Sequence, residues 1–300
     1  MYPENTEKNC PTSYLDNIHR AAASIKNADR LLIGIGSGMS TFEGLDYADP
    51  KLAARWYPEY YGIGLESILD IQASYWNIET SKPENYWGFW AKHIFHIRYE
   101  TEIMKPYMDL YGIIKGKNYF ICSTNVDGQL EKAEFPKDRV FTPQGNFSMF
   151  QCQKPCCQEV YYNKEMIDAM LSHMTSPVCI RTEDIPHCCH CGSLLIPNLR
   201  NDERFVEKPH IQNAKQYEEF INESRKEKLV LLEIGVGFTT PKIIRYPFEK
   251  ITQEYPFAKL IRINKEKVST TNNFANKVIV INEDIVKSLD DIRRTLFKST

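Results

Sequence analysis

The sequence predicts an α/β protein: a doubly wound, mostly parallel sheet with a smaller cysteine-bearing module inserted into it. Three observations carry this reading. Short apolar runs without polar alternation, the mark of strands buried on both faces, recur between helical-period segments. Two of these runs end in glycine turns, Gly34-Ile35-Gly36-Ser37-Gly38 and Gly235-Val236-Gly237. Seven of the nine cysteines fall between Cys152 and Cys191, too clustered for random core use.

Taken in order, Tyr14 to Ala28 places Leu15, Ile18, Ala22 and Ile25 at helical spacing and ends near Asn27. Leu31-Leu32-Ile33-Gly34-Ile35 is an apolar run entering a glycine turn and predicts a buried parallel strand. From there to about Lys115 the chain is rich in Trp and Tyr and predicts a largely helical segment. Tyr119-Phe120-Ile121-Cys122 predicts a second strand and Arg139-Val140-Phe141 a third. After the insert, strands return at Leu229–Ile234, Lys259–Ile263 and Val278–Ile281, and a helix runs from Glu283 to about Phe297. The organisation is then one sheet domain from 1–146 and 205–300, with a helical insert at about 41–115, and a module at 147–204.

Composition narrows the function classes. A chain of 300 residues with 42% hydrophobic and 25% charged residues is an ordinary globular protein, long enough for one large domain and a small one. A formal charge of -2 argues against a general nucleic-acid or anionic-membrane binder. The start, Met1 to Lys8, has no apolar run of the kind a signal peptide needs, and no later stretch approaches ~20 consecutive apolar residues. The expected setting is cytoplasmic.

In a reduced compartment, clustered thiols read as metal ligands before disulfides. Cys188 and Cys191 form C-x2-C; Cys152 and Cys156 form C-x3-C, with Cys157 able to replace Cys156 and His190 a weaker candidate. Cys152, Cys156, Cys188 and Cys191 supply four thiolates for a closed tetrahedral zinc site, which is scaffold rather than catalysis. The first glycine turn departs from the usual dinucleotide fingerprint, because Met39 or Thr41 stands where its third glycine belongs. Two glycine turns at the ends of buried strands can still face one crevice at a topological switch point, which favours a dinucleotide.

With these features in order, the chain resembles the sirtuins, and the resemblance runs from about Leu31 to Asp284. Gly36-Ser37-Gly38-Met39-Ser40 looks like that family's Gly-Ala-Gly-Ile-Ser, and Ser123-Thr124-Asn125-Val126-Asp127-Gly128 like its Thr-Gln-Asn-Ile-Asp-Gly. Gly235-Val236-Gly237 stands where Gly-Thr-Ser is usual, and Asn264 looks like the asparagine that holds the adenosine ribose. The resemblance implies a Rossmann-like NAD-binding domain with a zinc-ribbon and helical module. It further implies that Gly36, Ser37, Gly38, Ser40, Asn125, Asp127, Gln144, Gly235, Gly237, Thr240 and Asn264 contact the dinucleotide.

Two departures sharpen it. Gln144-Gly145 stands where the family's His-Gly precedes the first zinc knuckle, and Gly44-Leu45-Asp46-Tyr47-Ala48-Asp49 replaces the cofactor loop's Pro-Asp-Phe-Arg. Together they look like the class M sirtuins, whose members are protein ADP-ribosyltransferases. The resemblance implies two partners, a macrodomain protein and a lipoylated carrier related to the glycine-cleavage H protein.

The chemistry agrees. Breaking the nicotinamide–ribose bond leaves an electrophilic sugar that a carboxylate or carbonyl oxygen can capture without a general base. Deacylation needs a ribose hydroxyl to lose its proton as well, a step suited to histidine but closed to glutamine. Asn125 and Gln144 are therefore expected to be the catalytic pair, Asn125 orienting the nicotinamide ribose and Gln144 bonding a ribose hydroxyl. Asp127 either positions the nicotinamide end or serves only its turn. Two other readings stay open: an NAD glycohydrolase, and a non-catalytic module binding NAD or ADP-ribose. Residual deacylase activity is a third. His93 and His96, three apart on a probable helix, are expected to pack among aromatics rather than bind metal, and Cys122 to be an inert buried thiol.

Overall fold

The computed structural model describes residues 13–41, 45–266 and 272–298. Met1 to Lys8, and Gly44 of the departing cofactor loop, lie outside the described residues.

Six strands form one parallel sheet: β1 (Arg30–Ile35), β2 (Asn118–Ser123), β3 (Val140–Phe141), β7 (Leu229–Ile234), β8 (Lys259–Ile263) and β9 (Val278–Ile281). Their order is β3-β2-β1-β7-β8-β9, so the winding reverses between β1 and β7. Registers bring Ile35 of β1 level with Ser123 of β2 and Ile234 of β7. The chain therefore leaves three neighbouring strands at the same edge, on either side of the switch point.

Each strand feeds two cores. Leu31, Ile33 and Ile35 pack with Ile18, Leu289 and Ile292 on one face, while Leu32 packs with Phe120, Phe220 and Phe248 on the other. The first-face helices Tyr14–Lys26 and Ile285–Phe297 are well started: Ser13 and Asp16 form a capping box, and the Asp284 carboxylate accepts from the Lys287 amide. In the aromatic segment, prolines 50, 58, 83 and 106 open four helices at their first or second positions, where a missing N–H costs nothing. No helix among the described residues is long and apolar enough to cross a membrane.

The cysteine-bearing insert holds a sheet that the sequence pattern did not foretell. β4 (Gly145–Cys152), β5 (Val160–Tyr162) and β6 (Leu195–Leu199) form an antiparallel sheet in the order β5-β4-β6. β4 escaped a period-two reading because seven of its eight residues are buried. The fully buried Trp87 ring lies 4.6 Å from that of Phe150, tying the helix Pro83–Ile94 to β4. Arg139, expected in the third strand, instead ends a 3-10 turn over Lys137–Arg139, and β3 keeps two residues.

Beneath the switch point lies a buried ion cluster. Glu233, in the otherwise apolar β7, receives a two-pronged hydrogen bond from Arg262 of β8 at 2.7 and 2.9 Å, and lies 3.4 Å from Arg245. All three are at most 2% exposed. Arg245 in turn donates to the Val236 carbonyl at 2.7 Å, which anchors the second glycine turn. Removing one member leaves charges buried without a partner, so Glu233→Ala should lower stability by about 3–5 kcal/mol. Urea unfolding of both proteins measures it.

Candidate functional site

Both glycine turns leave the sheet at the switch point and meet backbone to backbone. A Cβ at Gly36 would sit 2.5 Å from the Gly235 carbonyl oxygen, and one at Gly235, where φ is +61°, would sit 2.5 Å from the Met39 nitrogen. Glycine is thus required here by turn-on-turn packing. After the first turn a helix begins at Gly38 and is described to Thr41. Gly237 has open space around it.

From this junction the side chains of Ser37, Ser40 and Thr240 line a cleft of about 570 Å³, together with Asn125, Asp127 and Gln144. Six of the expected site residues therefore share one cavity. Gly36, Gly38 and Gly235 form its backbone support, and Asn264 sits to the side, its amide donating to the Val236 carbonyl at 3.2 Å.

At the cleft floor four polar groups hold one another. The Ser40 hydroxyl donates to Asp127 Oδ2 at 2.6 Å, and Asn125 Nδ2 donates to the Tyr107 hydroxyl at 3.0 Å and to Ser40 Oγ at 3.3 Å. Ser40 and Tyr107 lie 2.9 Å apart, oxygen to oxygen. Asp127 Oδ1 accepts the Gln129 amide, so its carboxylate is engaged on both oxygens. Burial pushes the Asp127 carboxyl above its usual range, with the Ser40 hydrogen bond pulling the other way. Tyr107 was missed in the sequence: it lies in an apolar helix, Lys105–Ile114, where nothing separates it from core aromatics.

Gln144 is placed by its backbone. Its carbonyl accepts the Arg200 amide at 3.0 Å, and Gly145 follows with φ of +106°, packed against the Asn198 carbonyl of β6. Among the described residues, no hydrogen bond holds the Gln144 side-chain amide, and no histidine lines the cleft. Arg200, also unforeseen, lines the cleft beside it, its Nε donating to the Pro143 carbonyl and its Nη2 to Glu207. Leu69, Trp76, Phe147 and Leu199 supply an apolar wall. A second cleft, of about 480 Å³, opens behind the Asn125–Gly128 segment, so this loop has a cavity on each side.

The four expected metal ligands converge. Sγ atoms of Cys152 and Cys191 are 3.5 Å apart, as are those of Cys156 and Cys188, and all four lie within 4.8 Å of one another. A tetrahedral zinc with sulfurs at ~2.3 Å needs edges of roughly 3.8 Å, so this set fits zinc. Cys156 rather than Cys157 faces the other three. The remaining candidates are structural. His93 is fully buried between the hydroxyls of Tyr47 and Tyr57, at 3.2 and 3.0 Å, and His96 stacks on Trp56. Burial pushes the Cys122 thiol up to about 12.

Comparison with known proteins places this architecture. No protein-family model matches the chain. It is 29% identical over 264 residues to a protein ADP-ribosyltransferase of Staphylococcus aureus (strain Mu50), covering 87% of this chain and 82% of that one. It is 28% identical over 250 residues to a probable bifunctional ADP-ribose hydrolase/ADP-ribosyltransferase of Fusarium oxysporum f. sp. cubense, covering 80% of this chain but only 41% of that protein. Among solved structures, a Sir2 homologue in complex with NAD superposes with a TM-score of 0.58 at 16% identity, covering 93% of each chain. A substituted Sir2 homologue with 2'-O-acetyl ADP ribose gives 0.61 at 16% identity, over 93% of this chain and 96% of that one. The chain has the Sir2 fold, with its parallel sheet and cysteine module.

One pH dependence follows from the helix beside the cleft. Burial, with a smaller push from His96, holds His93 down to about 3 against 6.5 for a free imidazole. Between these values the unfolded chain takes up a proton that the folded one refuses. Stability should therefore be level above pH 6.5 and fall by on the order of 1 kcal/mol per unit as pH drops below it. Urea midpoints measured from pH 7 to 5 should show a shallower decline in His93→Gln than in the parent.

Proposed function

We propose that this protein is a sirtuin-type, NAD-consuming protein ADP-ribosyltransferase that releases nicotinamide and joins ADP-ribose to a protein acceptor. The observation that carries this reading is Gln144 lining the same cleft as Asn125, Ser40 and Asp127, with no imidazole beside it. The two relatives named for this activity support it.

The chain's own groups suit the task. Ser37, Ser40 and Thr240 would meet the dinucleotide, and the Tyr107–Ser40–Asp127 network would hold the Asn125 amide against its nicotinamide ribose. Such preset hydrogen bonding costs no rearrangement when the sugar becomes electron-poor. Gln144, whose side-chain amide has no hydrogen bond among the described residues, would bond a ribose hydroxyl. It cannot remove that hydroxyl's proton near neutral pH, so the reaction ends once the acceptor oxygen has bonded to the sugar carbon that nicotinamide left.

For acceptor we propose a lipoylated carrier protein of the glycine-cleavage-H type. The wall of Leu69, Trp76, Phe147 and Leu199 suits a long aliphatic arm, and Arg200 suits an acidic group on the incoming protein. A macrodomain protein is the proposed second partner, in keeping with the hydrolase activity named for the longer fungal relative. A cytoplasmic setting suits the reduced thiols.

Incubated with NAD and a lipoylated carrier, the parent should produce acceptor heavier by one ADP-ribose in the mass spectrum. Gln144→Ala should slow this by about tenfold or more, as expected for the loss of one hydrogen bond at the reacting sugar. Equal rates would remove Gln144 from the mechanism. Free ADP-ribose formed at one rate with or without acceptor would instead identify a glycohydrolase.

A further inference from the structure

We propose that Cys157, Glu159 and His190 form a second metal site beside the four-cysteine cage, taking a borderline divalent cation such as zinc through a thiolate, a carboxylate and an imidazole. One ligand atom from each lies within 4.8 Å of the other two. Neither knuckle needs them for the first ion, which Cys152, Cys156, Cys188 and Cys191 complete.

The positions are set by the first site. Cys157 directly follows Cys156, and His190 directly precedes Cys191, so closing the cage brings both to one side of it. Glu159 precedes β5, whose Val160 pairs with Gln151 of β4, one residue before Cys152. Glu159 Oε2 and His190 Nε2 already lie 2.7 Å apart. Cys189 is the knuckle thiol left outside the group; its Sγ lies 3.4 Å from the Tyr161 hydroxyl.

Charge and ligand type favour occupation. Four thiolates around one zinc leave a formal charge of about −2, which draws a further cation to the neighbouring ligands. Sulfur, nitrogen and oxygen together suit zinc, cobalt or nickel and poorly suit magnesium or calcium, which prefer oxygen alone. The His190 and Glu159 side chains are 45% and 64% exposed, so a bound ion would keep a solvent-facing position. Three ligands, two of them exposed, hold an ion less tightly than the closed four-thiolate cage beside them. A plain surface ion pair between Glu159 and His190 is the competing account; it needs no thiol and would contribute little to stability.

The test uses the full, tag-free chain equilibrated with micromolar zinc and counted by elemental analysis. Two zinc ions per chain are expected, falling to one after a weak chelator. Cys157→Ser combined with His190→Ala should hold one ion and keep the parent's circular dichroism. Glu159→Gln should weaken the second ion by about tenfold or more. In a cobalt titration of the metal-free chain, the first equivalent should give tetrathiolate absorption and the second a band with weaker sulfur charge transfer. One equivalent at saturation in the parent, or two in the double variant, would overturn the site. So would loss of the first ion from Cys157→Ser alone, which would make Cys157 part of the cage.

Discussion

The contact between two glycine turns is the constraint on which the site depends. Gly36 and Gly38 press against Gly235 so closely that no side chain fits between the segments. Because the turns leave β1 and β7, neighbours at the winding reversal, this contact sets the width of the crevice and the placement of Ser37 and Ser40 on one side and Thr240 on the other. The second turn is held from below as well, since Arg245 grips the Val236 carbonyl while its own charge is balanced by Glu233. A buried ion cluster is a poor source of net stability. Here it ties the second glycine turn to two elements, β8 and the helix Arg245–Glu254.

From that junction outward, the cleft floor is a closed set of hydrogen bonds. Ser40 joins the first turn to the Asn125–Gly128 loop through Asp127, and Tyr107 joins both to the helix Lys105–Ile114, which packs in the same core as Met39. The Asp127 carboxyl, buried and engaged on both oxygens, fixes the loop that carries Asn125. Gln144 lines the same cleft as this network.

Much of this was legible in the sequence because its cause is local. Buried parallel strands read as unbroken apolar runs, and β1, β7, β8 and β9 were visible within a residue of their ends. The cysteine spacing exposed the cage, though adjacency alone could not separate Cys156 from Cys157; the direction each thiol takes from the turn did that. What stayed hidden is non-local. β4 is paired along both edges by β5 and β6 and is buried at seven of its eight residues, with the Trp87 helix packed against Phe150, so it lacks alternation. Tyr107 and Arg200 look like any core tyrosine and any surface arginine until the fold carries them to Asn125 and Gln144. The glycines of the first turn invited a phosphate explanation, whereas packing against Gly235 already requires two of them.

Residue 144 is held by its main chain: the Arg200 amide donates to its carbonyl, and its successor, Gly145, is a left-handed glycine packed against β6. Among the described residues, no hydrogen bond ties its side chain to the scaffold. Under the role proposed for Gln144, an exchange of its side chain would alter what the crevice can do while leaving in place the main-chain contacts that hold the position.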